Sequence, residues 1–220
     1  MKNILLVFLF SVFAVFGFSQ KDPATKQLLK AAADKALGYK TIQTEFEFIV
    51  NNAQFETKES YTGKLWVKGS RFKMDVDQTI TFCDGKNKWV YLTESNEVNV
   101  SVVEKGEGLE PDERFLYDPL SIYTLYKSGF KYITAGTQDI DGKTYSVVDL
   151  SPEDKSKPFF KIKCWISEDY DYYVVKYFQK DGTRITLQLN DFKTNVKLKD
   201  SFFEFNAAGY PDVEVIDLRE

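Results

Sequence analysis

The feature that most constrains this fold is an alternation of apolar and polar side chains with a period of two. The clearest run has Ile42, Phe46, Phe48 and Val50 on one side and polar residues between them. Such alternation is typical of a β-strand with one buried face. Similar runs occupy residues 60–68, 71–76, 79–83, 89–92, 98–103, 130–134, 144–150, 159–166, 172–179, 183–189 and 202–205.

Three Asp-Gly dipeptides separate pairs of these runs, at Asp84-Gly85, Asp141-Gly142 and Asp181-Gly182. Asp-Gly favours tight hairpin turns. Many short strands joined by hairpins predict a large antiparallel sheet that is strongly curved or nearly closed.

Two segments depart from the strand pattern. Asp22-Pro23 followed by an apolar stripe with a period near 3.6, ending at Gly38, predicts an amphipathic helix over 24–37. Asp118-Pro119 predicts a short second helix over 118–127, preceded by an acidic, glycine-containing loop over 104–114. Because there are no repeats and no linker, we expect one domain over residues 20–220.

The first 19 residues have the pattern of a secretory signal peptide. Lys2 precedes an apolar stretch over 4–16, and Gly17 and Ser19 are small residues before the expected cleavage site. The protein is therefore expected outside the cytoplasm. Cys83 and Cys164 would lie in an oxidising compartment, where a disulfide between them is allowed but not required.

Residue types argue against catalysis, metal binding and cofactors. The chain has no histidine, which removes histidine-dependent nucleophilic and zinc sites. The run 139–142 has its glycine at the wrong position for a calcium loop, so we interpret it as a hairpin turn. Glu45 and Glu47 are expected on a solvated strand face. A net charge of −4 without a basic patch argues against nucleic-acid binding.

Aromatic residues make up 16% of the chain. They are compatible with two interpretations, a filled core beneath a helix or an apolar cavity beneath a helical lid that could hold a lipid. Composition alone leaves both open.

Several motifs, taken in order, resemble the LolA family of periplasmic lipoprotein carriers. Trp66 and Phe72 lie in a Gly-x-x-Trp strand and an Arg-Phe strand, and Asp84-Gly85-Lys86 precedes a Trp-x-Tyr strand. Asp118 lies where the family begins a lid helix. The segments that carry the resemblance are 63–68, 71–74, 80–91, 118–120, 203–206 and 213–217.

This resemblance implies an α+β fold in which a curved antiparallel sheet forms an open half β-barrel, with a helical lid over a hydrophobic cavity. It implies that Arg71 and Phe72 serve lid closure and transporter contact. The family's Arg-Pro turn is here Gly69-Ser70, which leaves Arg71 as the nearest arginine. The residues expected to line the acyl-chain cavity are Phe46, Phe48, Leu65, Val67, Phe72, Met74, Phe82, Leu120 and Tyr123.

The resemblance also implies a function: a periplasmic carrier that shields lipoprotein acyl chains between the inner and outer membranes. The charged outer faces of the strands predict a monomer. Its expected partners are acylated lipoproteins, an inner-membrane Lol-type ABC transporter and an outer-membrane acceptor of unknown identity. Two alternatives use the same scaffold, a sensor of lipids or lipoproteins and a carrier of another acylated molecule.

Overall fold

A computed structural model describes residues 22–52, 54–103, 108–127 and 129–219. The predicted signal peptide, residues 1–19, lies outside these ranges. No helix within them is long and apolar enough to cross a membrane.

The described residues form one twelve-stranded sheet, curved and unclosed. Its order is β12-β6-β5-β4-β3-β2-β1-β11-β10-β9-β8-β7, and neighbouring strands are antiparallel except for the parallel pair β12 and β6. The strands are β1 Ile42–Asn52, β2 Thr57–Lys68, β3 Arg71–Val76, β4 Thr79–Cys83, β5 Asn87–Leu92, β6 Glu97–Val102, β7 Phe130–Ile140, β8 Lys143–Pro152, β9 Phe159–Ser167, β10 Tyr172–Gln179, β11 Thr183–Thr194 and β12 Glu214–Asp217.

The three Asp-Gly turns connect β4 to β5, β7 to β8 and β10 to β11, as predicted. Gly85, Gly142 and Gly182 all have positive φ, which glycine adopts without steric cost. These local signals therefore fix the order in which neighbouring strands pair.

Helix α1, Pro23–Gly38, confirms the first helix prediction. The Asp22 carboxylate accepts a hydrogen bond from the Thr25 backbone N–H at 2.8 Å, and Pro23 occupies the first turn. The buried residues of α1 lie on one side: Thr25, Leu29, Ala32, Ala33 and Ala36. The helix covers one face of the sheet, called here the inner face, and contacts β7.

The second helix prediction was wrong in detail. Residues 118–127 form two 3₁₀ turns, Pro119–Tyr123 and Leu125–Lys127, and a short helix α2, Pro111–Arg114, lies inside the predicted loop. Isoleucine, tyrosine and threonine are weak helix formers, so packing of Ile122 and Tyr123 against the sheet can impose the tighter turn.

The predicted strand over 202–205 is also absent, because a 3₁₀ turn, Asp200–Phe203, occupies this region. It begins a C-terminal segment, residues 200–218, that covers the outer face of β2 to β6. Phe202 packs edge-on against Trp66 with ring centroids 5.5 Å apart, and Phe205 packs edge-on against Phe82 at 5.8 Å. A short aromatic run fits either a strand or a turn, and packing on both of its sides selected the turn.

Candidate functional site

The inner face of β1 to β4 is covered by residues 109–127, called here the lid segment. Its largest fully buried side chain is Phe115, which is 2% exposed and packs edge-on against Phe46 with ring centroids 5.9 Å apart. Tyr123 packs edge-on against Tyr172 at 4.8 Å. The lid is therefore an irregular chain anchored by aromatic side chains.

On one side of Phe115, the lid and the sheet line cavity A, of about 300 Å³, which is open to solvent on one side. Its apolar lining comes from Val67, Phe72, Cys83, Val103 and Leu120. Gly69 and Pro119 also line it, and its polar lining residues are Ser70, Arg114, Tyr117 and Asp118.

Cavity B, of about 270 Å³, lies on the other side of Phe115. Its apolar lining comes from Phe46, Phe48, Tyr61, Val76, Phe115 and Leu116, with Asp77 and Thr79 beside them. A narrow gap of about 10 Å³ shares Val67 and Leu120 with cavity A and Phe115 with cavity B. Movement of the Phe115 and Leu120 side chains would therefore join the two cavities.

Eight of the nine predicted cavity residues lie on the inner face or in the lid segment that covers it. Phe46 and Phe48 line cavity B, and Val67, Phe72 and Leu120 line cavity A. Of the others, Leu65 and Tyr123 line the narrow gap, and Met74 is part of the buried core beside Leu65.

Phe82 does not lie in the cavity, and that prediction is corrected. In the register of β3 and β4, Phe72 is opposite Cys83 on the inner face, whereas Phe82 is opposite Lys73 on the outer face. The Lys73 ammonium lies 4.7 Å from the centre of the Phe82 ring. The alternation along β4 predicts that Phe82 faces inward, because the C-terminal segment that covers this residue on the outer face is remote in sequence.

The assignment of Arg71 to lid closure is also corrected. Arg71 precedes Phe72 on β3 and so faces the other side of the sheet. Its guanidinium lies 3.6 Å from the Asp200 carboxylate, which also binds Lys68 at 2.7 Å. The arginine of the lid is Arg114, which sequence analysis missed because it had placed this residue in a loop.

Neither cysteine thiol is an activated nucleophile. Burial raises the pKa of the Cys83 thiol, whose Sγ donates to the Ser70 carbonyl at 3.7 Å. Burial likewise raises the pKa of Cys164. Both thiols are free, and five strands separate β4 from β9 in the sheet, too far for a disulfide.

An open antiparallel sheet with an apolar inner face, covered by a helix and an anchored lid, defines a half-barrel binding protein. The chain belongs to the LolA family: the model described as "Outer membrane lipoprotein carrier protein LolA" matches residues 38–206. Members of this family are carriers rather than enzymes.

Solved structures are similar to this chain, and one of them, the lipoprotein LppX, shares its fold. The Mycobacterium tuberculosis lipoprotein LppX is 14% identical, with a TM-score of 0.51 over 81% of this chain and 100% of LppX. The LolA superfamily protein NE2245 from Nitrosomonas europaea is 13% identical, with a TM-score of 0.44 over 82% and 97% of the two chains.

A curated relative comes from Methanocaldococcus jannaschii. The uncharacterised protein MJ0687 is 26% identical over 206 residues, which cover 91% of this chain. The chain spans 57% of the length of that relative.

Proposed function

We propose that this protein is a periplasmic carrier that binds the acyl chains of lipoproteins between the inner sheet face and the lid segment. In this role it takes lipoproteins from an inner-membrane ABC transporter and delivers them to an outer-membrane acceptor. Membership of the LolA family and the likeness of the fold to a lipoprotein, LppX, support this role and a location outside the cytoplasm.

The observation that carries the proposal is the pair of apolar cavities on either side of Phe115. Each is near the lower end of the size range of small-molecule sites, and together they follow the inner face of β1 to β4. An acyl chain could take the place of the Phe115 ring once the lid segment moves outward.

The energetics fit a carrier. Burial of each acyl methylene gains about 0.8 kcal/mol, so the affinity grows with chain length without a specific polar contact. Part of this gain is used to displace Phe115 and the lid segment, which lowers the net affinity and allows release. The mechanism therefore expects a closed apo state and an open loaded state.

The first test uses a dipalmitoylated cysteinyl peptide as ligand. Leu116 lines cavity B and is 47% exposed, so Leu116→Glu places a charge at the cavity with little effect on folding. We expect this variant to bind the peptide at least tenfold more weakly, because the charge must be desolvated beside the acyl chain. The matched control is Phe160→Glu, since Phe160 on β9 is 46% exposed and lies away from both cavities.

The second test identifies the cargo by photocrosslinking in the native cell envelope. A photoreactive residue at position 116 should capture many acylated proteins and a transporter subunit, whereas the same residue at position 160 should not. Capture of a single protein would contradict the carrier and favour a sensor. Capture of free lipid alone would favour a carrier of another acylated molecule.

A further inference from the structure

A third cavity, cavity C, lies on the far side of the lid segment and has a different character from the other two. Its volume is about 310 Å³, and its polar lining residues are Arg114, Ser121, Thr124 and Lys127. Apolar side chains, among them Leu125 and Phe130, line the rest. Arg114 lines both cavity A and cavity C, so it stands between an apolar and a polar compartment.

Ser121 provides the first sign of a ligand. It is 3% exposed, and its side-chain Oγ has no hydrogen-bond partner among the described residues. Its backbone groups are satisfied, because its N–H donates to the Asp118 carbonyl and its carbonyl accepts from the backbone N–H and Oγ1 of Thr124. Buried hydroxyls nearly always have a partner, so an orphaned Oγ on a residue that lines a cavity indicates a polar ligand there.

The charges around cavity C indicate the sign of that ligand. Within the described part of the chain, neither Arg114 nor Lys127 forms an ion pair. Of the carboxylates in the neighbouring turn, Glu113 accepts from the Glu110 backbone N–H at 3.2 Å, and Asp112 Oδ2 accepts from the Gln179 amide at 3.4 Å. Glu110 pairs with Lys157 through Oε1 at 3.1 Å, while its Oε2 is buried without a partner among the described residues. Two cations without an ion pair among the described residues, together with one hydroxyl donor, favour an oxyanion.

We propose that cavity C binds the phosphate of a lipid headgroup whose acyl chain occupies cavity A. The protein would then carry phosphorylated acyl lipids in addition to lipoproteins. Arg114 would bind two phosphate oxygens with its planar guanidinium, and Ser121 Oγ would donate a hydrogen bond to a third phosphate oxygen. Lys127 would add a positive point charge beside them.

The shared position of Arg114 favours a phospholipid over free phosphate. A ligand with an anionic group and an acyl chain one glycerol unit apart would fill both compartments at once, whereas inorganic phosphate would leave cavity A empty. This inference rests on the proposed function only in that it places acyl chains in cavity A.

The test compares three probes by calorimetry on the full mature chain: dihexanoyl phosphatidic acid, dihexanoylglycerol and inorganic phosphate. The variant carries Arg114→Gln together with Lys127→Gln. We expect it to weaken binding of the phosphatidic acid at least tenfold more than binding of dihexanoylglycerol, because the lost interactions are charge-assisted hydrogen bonds to phosphate. Ser121→Ala, which leaves the net charge unchanged, should weaken binding of the phosphatidic acid but not binding of dihexanoylglycerol.

The matched control carries Lys26→Gln together with Lys58→Gln, which changes the net charge equally at exposed positions away from cavity C. Equal losses in both double variants would overturn the proposal in favour of general electrostatic attraction. Inorganic phosphate that binds as tightly as phosphatidic acid would overturn the lipid assignment. If the wild-type chain does not bind dihexanoylglycerol, that result would instead contradict acyl-chain binding, and hence the proposed function.

Discussion

At the scale of single residues, the position of Phe46 under the lid depends on Gly63. The two residues are opposite each other in the register of β1 and β2. A Cβ atom at position 63 would lie 2.5 Å from Phe46 Cζ and 2.8 Å from the backbone oxygen of Asp75. Glycine is required here for space, since one ring edge occupies the volume that any side chain would need.

Gly63→Ala should therefore lower the free energy of unfolding by about 1–3 kcal/mol through overpacking. It should also push the Phe46 ring toward cavity B and weaken binding of an acyl ligand. Urea denaturation measures the first effect and ligand titration the second. Gly209→Ala is the control, because nothing lies within 4 Å of a Cβ at that position; equal losses in the two variants would contradict the packing argument.

Asp112 in α2 is the buried carboxylate of the lid segment. Burial raises its pKa, and its Oδ2 accepts a hydrogen bond from the Gln179 amide at 3.4 Å, near the limit for such a bond. Because the pKa is higher in the folded than in the unfolded chain, the folded chain holds the proton more tightly. The free energy of unfolding should fall as the pH rises from the ordinary aspartate value of 3.8 through the raised pKa.

Asp112→Asn should remove this pH dependence and raise the free energy of unfolding at neutral pH. Denaturation curves recorded from about pH 3 to pH 7 would show both effects.

Asp84→Asn is a control with the opposite sign. Burial alone would raise the pKa of Asp84, but backbone N–H donors from Asn87 and Lys86 lower it overall. The stabilisation by ionised Asp84 is present above the ordinary aspartate pKa and is lost in acid. Asp84→Asn should therefore be less stable than the wild-type chain at neutral pH.

At the scale of elements, the lid segment is the least regular part of the inner face. It consists of α2 and two 3₁₀ turns, which offer little backbone hydrogen bonding of their own. Its position depends on buried side chains, chiefly Phe115, Ile122 and Tyr123. A lid held by a few anchors can be released by a ligand that replaces one of them.

Phe115→Ala should connect cavities A and B through the narrow gap between them. We expect a loss of about 3–5 kcal/mol in the free energy of unfolding together with faster uptake of a fluorescent acyl ligand in stopped-flow measurements. Phe203→Ala is the control, since Phe203 is fully buried in the C-terminal segment outside the inner-face core. It should destabilise the fold without faster uptake; faster uptake in both variants would contradict a specific role for Phe115.

Local sequence signals predicted most elements correctly and the lid incorrectly. The alternation in β1, the Asp-Gly turn after β4 and the Asp22 cap of α1 act between near neighbours, so they can be read from the chain. Arg114 lies on α2, where an acidic loop was expected, and Phe115 directly follows that helix. Nothing local marks either residue as part of a lid. Their roles arise from contact with the remote strands β1 to β4.

At the scale of the whole molecule, the two sheet faces serve different purposes. The inner face holds the cavities, whereas the outer face of β2 to β6 is sealed by aromatic packing from the C-terminal segment. Phe205 stacks on Tyr210 with ring centroids 4.7 Å apart, and Tyr91 contacts both rings. The family match ends at residue 206, so Tyr210 and β12 lie beyond it.

Truncation after Asn206 should lower the free energy of unfolding by about 2 kcal/mol or more, because Tyr91 and Phe205 lose an apolar cover. Binding of acyl ligands should be retained, since both apolar cavities lie on the other face. Denaturation and ligand titration of the truncated chain measure the two effects. Val215→Ser in the full chain is the control, since Val215 is already half exposed and its change should be nearly neutral. Lost binding with unchanged stability would contradict this division of the faces.

The sequence by itself determined the fold class, the pairing of neighbouring strands, the first helix and the resemblance to lipoprotein carriers. These follow from periodicity, turn residues and short motifs, which act over a few residues. Tertiary structure alone decided that Phe82 faces outward, that Arg71 binds Asp200 and that Arg114 stands between two cavities. The physical reason is that the side of a sheet that becomes a cavity depends on which remote segment covers it, and alternation along a strand is the same for either side.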